Sequence, residues 1–362
     1  MKKSSGGWRL GSVSAAIGIS LMALPGLFAQ NPFLPPPPPT VSTVPSNGDV
    51  NPYGVVFVPL NYSAGGTIQP GDILVSNFNS NLNLQGTGTT IVRVAPNAQT
   101  SLFFQGQAPL GLTGALDVLQ AGLVLVGNLP TADGTSGTAQ PGSLLVLNSK
   151  GQLLGSLAGQ FGIDGPWGMA IRDQIDHAQI FISNVLSGKV IRLDVLLFAK
   201  TSSLRVKDFV VISSGYAHRP DPAALELGPS GLAYDATHDI LYVANSADNT
   251  IRAINNAGAL TSDAGPGAVI YQDIAHLHGP LDLVFAPNGH LLVANSDGSN
   301  AVPTQPSEIV EFTLAGAFVA EFSVDPNNGG AFGVALQSIG GGTRFAAVDD
   351  NASTLLISTI IP

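Results

Sequence analysis

The sequence predicts an all-β fold, a six-bladed β-propeller of four-stranded antiparallel blades, and three observations carry that expectation. A Gly- or Asn-led tetrapeptide opens an apolar run six times, at Asn51-Pro52-Tyr53-Gly54, Gly111-Leu112-Thr113-Gly114, Gly165-Pro166-Trp167-Gly168, Gly228-Pro229-Ser230-Gly231, Gly279-Pro280-Leu281-Asp282 and Gly330-Ala331-Phe332-Gly333. A second apolar run then closes each time on Asn or Asp, at Asn77, Asn128, Asn184, Asn245, Asn295 and Asp349. Successive openers lie 60, 54, 63, 51 and 51 residues apart, steps that suit a four-stranded blade with loop insertions. Charged residues make up 10% of the chain, against about 25% in ordinary soluble domains. Sheets packed on both faces by neighbouring blades leave few strand positions for water, which accounts for the shortfall.

Residues 1–29 read as a signal peptide: Lys2, Lys3 and Arg9, an apolar stretch from Val13 to Phe28, then Ala29. That stretch is short for a spanning helix and is broken by Pro25 and Gly26. Cleavage would leave 11 basic against 24 acidic side chains, a net charge of −13, and would place the chain in the periplasm or outside the cell with no stable membrane insertion. Nucleic acid is excluded as a partner, because phosphate binding needs clustered Lys and Arg. The absence of Cys rules out disulfides. Residues 30–47, with five consecutive prolines from Pro35 to Pro39, are expected to be an extended linker, and residues 48–362 to form the propeller.

Blade four divides most cleanly, into strands at 231–234, 240–244, 250–254 and 268–271, separated by turns rich in Asn, Asp, Gly and Ser. Blade five follows the same order through Leu283, Leu292, Ile309 and Phe318. The second strands at 122–126, 240–244 and 291–294 are continuously apolar, as strands buried on both faces should be. Innermost strands must be slim where blades converge, and Gly54, Gly114, Gly168, Gly231 and Gly333 meet that demand. Blade six shows only three strands after its opener. Val41 to Val44 is expected to supply the fourth and close the ring. Leu193 to Lys200 and Pro222 to Leu227 are the two places where single turns or short helices are expected.

Gly228-Pro-Ser-Gly-Leu-Ala-Tyr-Asp, Leu241-Tyr-Val-Ala-Asn and Asn249-Thr-Ile-Arg-Ala-Ile-Asn-Asn-Ala-Gly258 together resemble the NHL repeat. Gly165-Pro-Trp-Gly-Met-Ala with Gly188-Lys-Val-Ile-Arg-Leu-Asp194 is similar. Blades three to five match well, whereas one, two and six are degenerate. The resemblance implies a six-bladed, TolB-like propeller, related to the gluconolactonase-like superfamily, whose members mostly bind other molecules and include a minority of enzymes.

Loops joining the fourth strand of one blade to the first of the next, and those joining second to third strands, share one face of a propeller. Openers and closers should therefore meet around one mouth of the axial channel. The third opener residues would form a ring of Tyr53, Thr113, Trp167, Ser230, Leu281 and Phe332. In gluconolactonase-like enzymes, the resemblance implies, opener positions supply Glu, Asn and Asp ligands to a catalytic metal. None of these six is a carboxylate or an amide, whereas hard cations need oxygen ligands. Tyr53, Trp167 and Phe332 suit either a stacking platform for a ligand or a plug of the channel. Asn245 and Asn295 belong to a polar ring that either lines a site or bonds its own turns. His276 and His278, two residues apart in extended backbone, would point to one side and with Asp282 form a candidate metal site.

The leading expectation is a non-enzymatic propeller that binds a protein, carbohydrate or small-molecule ligand on this face without a cofactor, with Tyr53, Trp167, Phe332, Asn245 and Asn295 as binding residues. The alternative is a metal-dependent lyase or hydrolase on the same face, with a divalent metal at His276, His278 and Asp282. A cell-envelope scaffold with no small-molecule site is a third.

Overall fold

The computed structural model describes residues 1, 32–35, 38–296 and 307–361; the expected signal peptide, Met1 apart, lies outside them. Six four-stranded antiparallel sheets follow one another. Blade one comprises β2 (Val50–Phe57), β3 (Ile73–Asn79), β4 (Thr90–Val94) and β5 (Thr100–Gln105), and blade two β6 (Leu112–Leu119), β7 (Leu123–Asn128), β8 (Ser143–Asn148) and β9 (Leu153–Leu157). Blade three is β10 (Pro166–Asp173), β11 (His177–Asn184), β12 (Lys189–Phe198) and β13 (Ser203–Ser214). A hairpin of β14 (Arg219–Asp221) and β15 (Leu225–Leu227) separates it from blade four, formed by β16 (Pro229–Asp235), β17 (Ile240–Asn245), β18 (Thr250–Asn255) and β19 (Ala268–Tyr271). Blade five is β20 (Pro280–Phe285), β21 (His290–Asn295), β22 (Ser307–Thr313) and β23 (Phe318–Asp325).

Blade six takes β24 (Ala331–Ile339), β25 (Gly342–Asp349) and β26 (Thr354–Ile360) from the end of the chain and β1 (Thr40–Ser42) from its beginning. Val41 pairs with Leu355, so the closing strand falls within one residue of the expected start. The segment before it is anchored as well: the backbone N–H groups of Phe33 and Leu34 both donate to Glu311 Oε2, at 2.7 and 3.3 Å. An edge that would otherwise offer a row of unpaired backbone groups is thereby covered.

Six apolar clusters fill the six seams between adjacent blades, and a seventh lies on the axis. The second strands are buried along almost their whole length, which is why their sequences run apolar without alternation.

Every opener makes a β-bulge against its closer. In all six blades the second opener residue pairs with the closing residue, from Pro52 with Asn77 through Leu112 with Asn128, Pro166 with Asn184, Pro229 with Asn245 and Pro280 with Asn295 to Ala331 with Asp349. The ladder then slips before it resumes. A bulge bends its strand, and this one turns the third opener residue toward the axis.

Of the two places expected to hold single turns or short helices, each keeps a turn and neither forms an α-helix. β12 continues to Phe198, with Val195 facing Val206 and Leu196 facing Arg205 on β13, and only Ala199–Thr201 forms a 3-10 turn. Leu225–Leu227 is β15 rather than helix. Cross-strand pairing outweighs the weak helical preference of these short Leu- and Ala-containing runs.

Candidate functional site

The third opener residues converge on the axis as a sealed layer. Tyr53 packs against Phe78, Trp167 and Phe332 with ring centroids 5.2, 5.5 and 5.0 Å apart, and Leu281 completes the cluster. Trp167 is 2% exposed and Tyr53 7%. The gap left among these side chains is about 10 Å³, at the lower limit for one water molecule. Thr113 and Ser230 face their neighbours instead. Thr113 Oγ1 donates to Pro166 O at 2.6 Å and Ser230 Oγ to Pro280 O at 2.8 Å. Ser76 Oγ reaches Thr113 O and Ser183 Oγ reaches Ser230 O. Asp282 extends this belt from blade five to blade six, its Oδ2 accepting Val334 N–H at 3.0 Å.

Two cavities lie on either side of the layer. The axial channel, about 410 Å³, runs among the slim inner strands to Pro287 in the β20–β21 turn and to Ser338 and Thr343 at the ends of β24 and β25 on the opposite face. Asp117 and Asp282 line it, and burial raises both carboxyls to about 7. Backbone N–H groups of Val118, and of Val334 and Leu283, oppose that rise.

The second cavity is the mouth, about 180 Å³. Its floor is Tyr53, Leu281 and Phe332, and its walls come from openers, second-to-third-strand loops and the hairpin before blade four. Asn51, Asn79, Asn83 and Gln85 form one side, and Glu226 and Asp350 stand on the others. The face that the sequence assigned to openers and closers is therefore the one that carries this cup.

The hairpin roofs the axis. Asp221 Oδ1 accepts the N–H groups of Ala223 and Ala224 and shapes the turn. Gln85 Nε2 donates to Ala223 O at 3.0 Å, and Ser136 Oγ donates to Leu225 O. Leu225 has a left-handed φ of 62° and buries its side chain in the axial cluster. A Leu in that region of φ/ψ space is strained, and the contacts from blades one and two hold it there.

Burial raises the Glu226 carboxyl, with His218 opposing. Burial and the adjacent Asp349 raise Asp350 to about 7. Asn51 is 7% exposed and has left-handed φ, which Asn tolerates better than most residues. Its carboxamide makes no hydrogen bond among the described residues, and its Oδ1 is buried without a partner, as is Asn79 Oδ1.

The sequence-selected residues divide accordingly. Tyr53 and Phe332 form the floor of the mouth; Trp167 lies behind Tyr53 and does not line it. Asn245 and Asn295 are fully buried. Asn245 Oδ1 accepts Ala247 N–H, and Asn295 bonds the loop before its blade through His278 N and His276 O. His276 Nδ1 meets Asp273 at 2.6 Å and its ring stacks on Phe318, while His278 Nε2 lies 3.0 Å from Ile274 O. Asp282 belongs to the belt and the channel. Among the described residues no three His, Asp or Glu side chains converge as a metal site.

The sequence reading missed Asn51, Asn79, Glu226 and Asp350. Three of them flank recognised positions: Asn51 begins an opener, Asp350 follows a closer, and Asn79 lies two beyond one. Glu226 carried no local signal, because it reaches the mouth only through the hairpin.

No model of a known protein family matches the sequence, and no curated protein is detectably similar to it. Among solved structures the chain is similar to a luciferin-regenerating enzyme, at 9% identity and a TM-score of 0.50, over 90% of this chain and 95% of that one. It is also similar to virginiamycin B lyase from Staphylococcus aureus, at 11% identity and a TM-score of 0.47 over 90% and 88% of the two chains. A protein of unknown function from Bacteroides caccae gives 14% identity and a TM-score of 0.46 over 76% and 92%. At such identities the likeness is one of fold.

Proposed function

We propose that this chain is an exported, non-enzymatic binding propeller of the NHL-repeat type, which holds a small polar ligand in the mouth cup. The observation that carries the reading is Asn51 at the cup wall, a buried residue whose Oδ1 finds no partner among the described residues. A buried polar group without a partner costs about 1–3 kcal/mol, and a ligand that bonds it recovers that energy. The cup is below the roughly 300–1,000 Å³ of drug-sized sites, so the ligand is small. The aromatic floor supplies apolar contact area, and the belt beneath keeps that floor rigid.

The test is a screen of small polar compounds against the isotopically labelled protein by NMR, with metal analysis of the same preparation. Binding compounds should shift the amide signals of Asn51, Tyr53 and Phe332, and Phe332→Ala should weaken them. Compounds that bind only elsewhere, or stoichiometric zinc or calcium at the mouth, would sink the reading.

A further inference from the structure

We infer that the mouth cup selects a small organic cation, its ammonium group seated between the carboxyls of Glu226 and Asp350 beside the Asn51 carboxamide and over the Phe332 ring. This rests on the reading of the mouth as a binding cup and adds the charge of the ligand.

Two carboxyl groups line one small cavity, and among the described residues no Lys, Arg or His does. Three of the polar neighbours commit donors inward, Asn79 Nδ2 to Asn83 Oδ1, Gln85 Nε2 to Ala223 O and Ser296 Oγ to Gly279 O, which leaves the uncharged donors of Asn51, Asn83 and Tyr53 facing the cup. An anionic ligand would meet carboxylates with few donors to offset them. A cation meets both carboxylates, in a setting where partial burial strengthens the attraction. Phe332 and Tyr53 at the floor present aromatic rings, and a ring face attracts a cation within about 6 Å. The Asn51 carboxamide adds an acceptor or a donor according to its orientation.

The two acids make binding of such a ligand depend on pH. Asp350 is raised by burial and by Asp349, and Glu226 by burial with His218 opposing; among the described lining residues Tyr53, at the floor, is the remaining titratable group. A cation binds the ionised forms, so its affinity should rise as pH climbs through about 7, the value of Asp350, and fall below it.

The experiment titrates the wild-type chain with n-butylammonium, n-butanol and butyrate, matched in size, and follows the amide signals of Asn51, Tyr53 and Phe332. Butylammonium should shift them while the alcohol and the acid do not. Its affinity should fall at least fivefold in Glu226→Gln, in Asp350→Asn, and in wild type between pH 8 and pH 5.5. Thermal unfolding of each variant establishes that it folds, and the wild-type pH series decides the question if one does not. Equal or tighter binding of butanol or butyrate at the mouth overturns the cation and leaves the cup standing. Butylammonium binding that ignores both substitutions and pH also overturns the cation. If neither these probes nor the screened compounds shift the mouth signals, the cup itself fails.

Discussion

The Trp167 indole meets the Tyr53 ring nearly edge-on, with centroids 5.5 Å apart and planes at 82°. The contact joins blade three to blade one across the axis, between blades that share no seam. It makes the channel floor of the mouth a structural layer, because Trp167 touches no space that a mouth ligand would occupy.

Trp167→Ala should therefore cost stability before it costs binding. Removing a fully buried aromatic costs about 3–5 kcal/mol, so urea unfolding should show a loss of that order. A loss under about 1 kcal/mol would mean the layer is not packed as described.

Glu311 fastens the N-terminal segment to blade five through the N–H groups of Phe33 and Leu34, and also bonds His290 Nδ1 at 2.6 Å. Hydrogen bonds to a charged group contribute about 1.5–3 kcal/mol. In Glu311→Ala the Phe33 and Leu34 amides should exchange with deuterium much faster, while amides of blade two keep their protection. Unchanged exchange at Phe33 would refute the anchoring role.

Asp117 provides a pH test. Burial, aided by the charge of Asp173, raises its carboxyl from the ordinary 3.8 to about 7. Between those values the folded chain holds a proton that the unfolded chain has lost, so this group's contribution to stability falls as pH rises from about 4 to about 7. One pKa unit corresponds to about 1.4 kcal/mol. Asp117→Asn should flatten this part of the stability profile and gain at least ~1 kcal/mol over wild type at pH 8. Parallel profiles for the two proteins would disprove the assignment.

Gly168 lies where blades three and four touch. A Cβ there would collide with the backbone carbonyl of Ser230, and backbone cannot rotate aside as a side chain can. Gly168→Ala should lower the melting temperature by several degrees or prevent folding, whereas Gly155→Ala, where a Cβ meets open space, should leave it within a degree or two.

The sequence by itself determined the ring. Each blade must bury two sheet faces, so its strands announce themselves as apolar runs, and each bulged opener must be slim, so Gly ends five of the six openers. Even Val41 could be found, because a three-stranded last blade demands an outside strand. Blade seams are nearest-neighbour matters, and local pattern is enough to encode them.

Only the tertiary structure decided which residues form the mouth. Trp167 and Tyr53 looked equivalent as third opener residues, yet packing order put one behind the other. Asn245 and Asn295 looked like lining, but Asn245 bonds its own turn and Asn295 the loop that precedes its blade. Glu226 and Asp350, 124 positions apart in sequence, face one cavity because a hairpin crosses the axis from between blades three and four, and no periodicity records a contact made by a single irregular insertion.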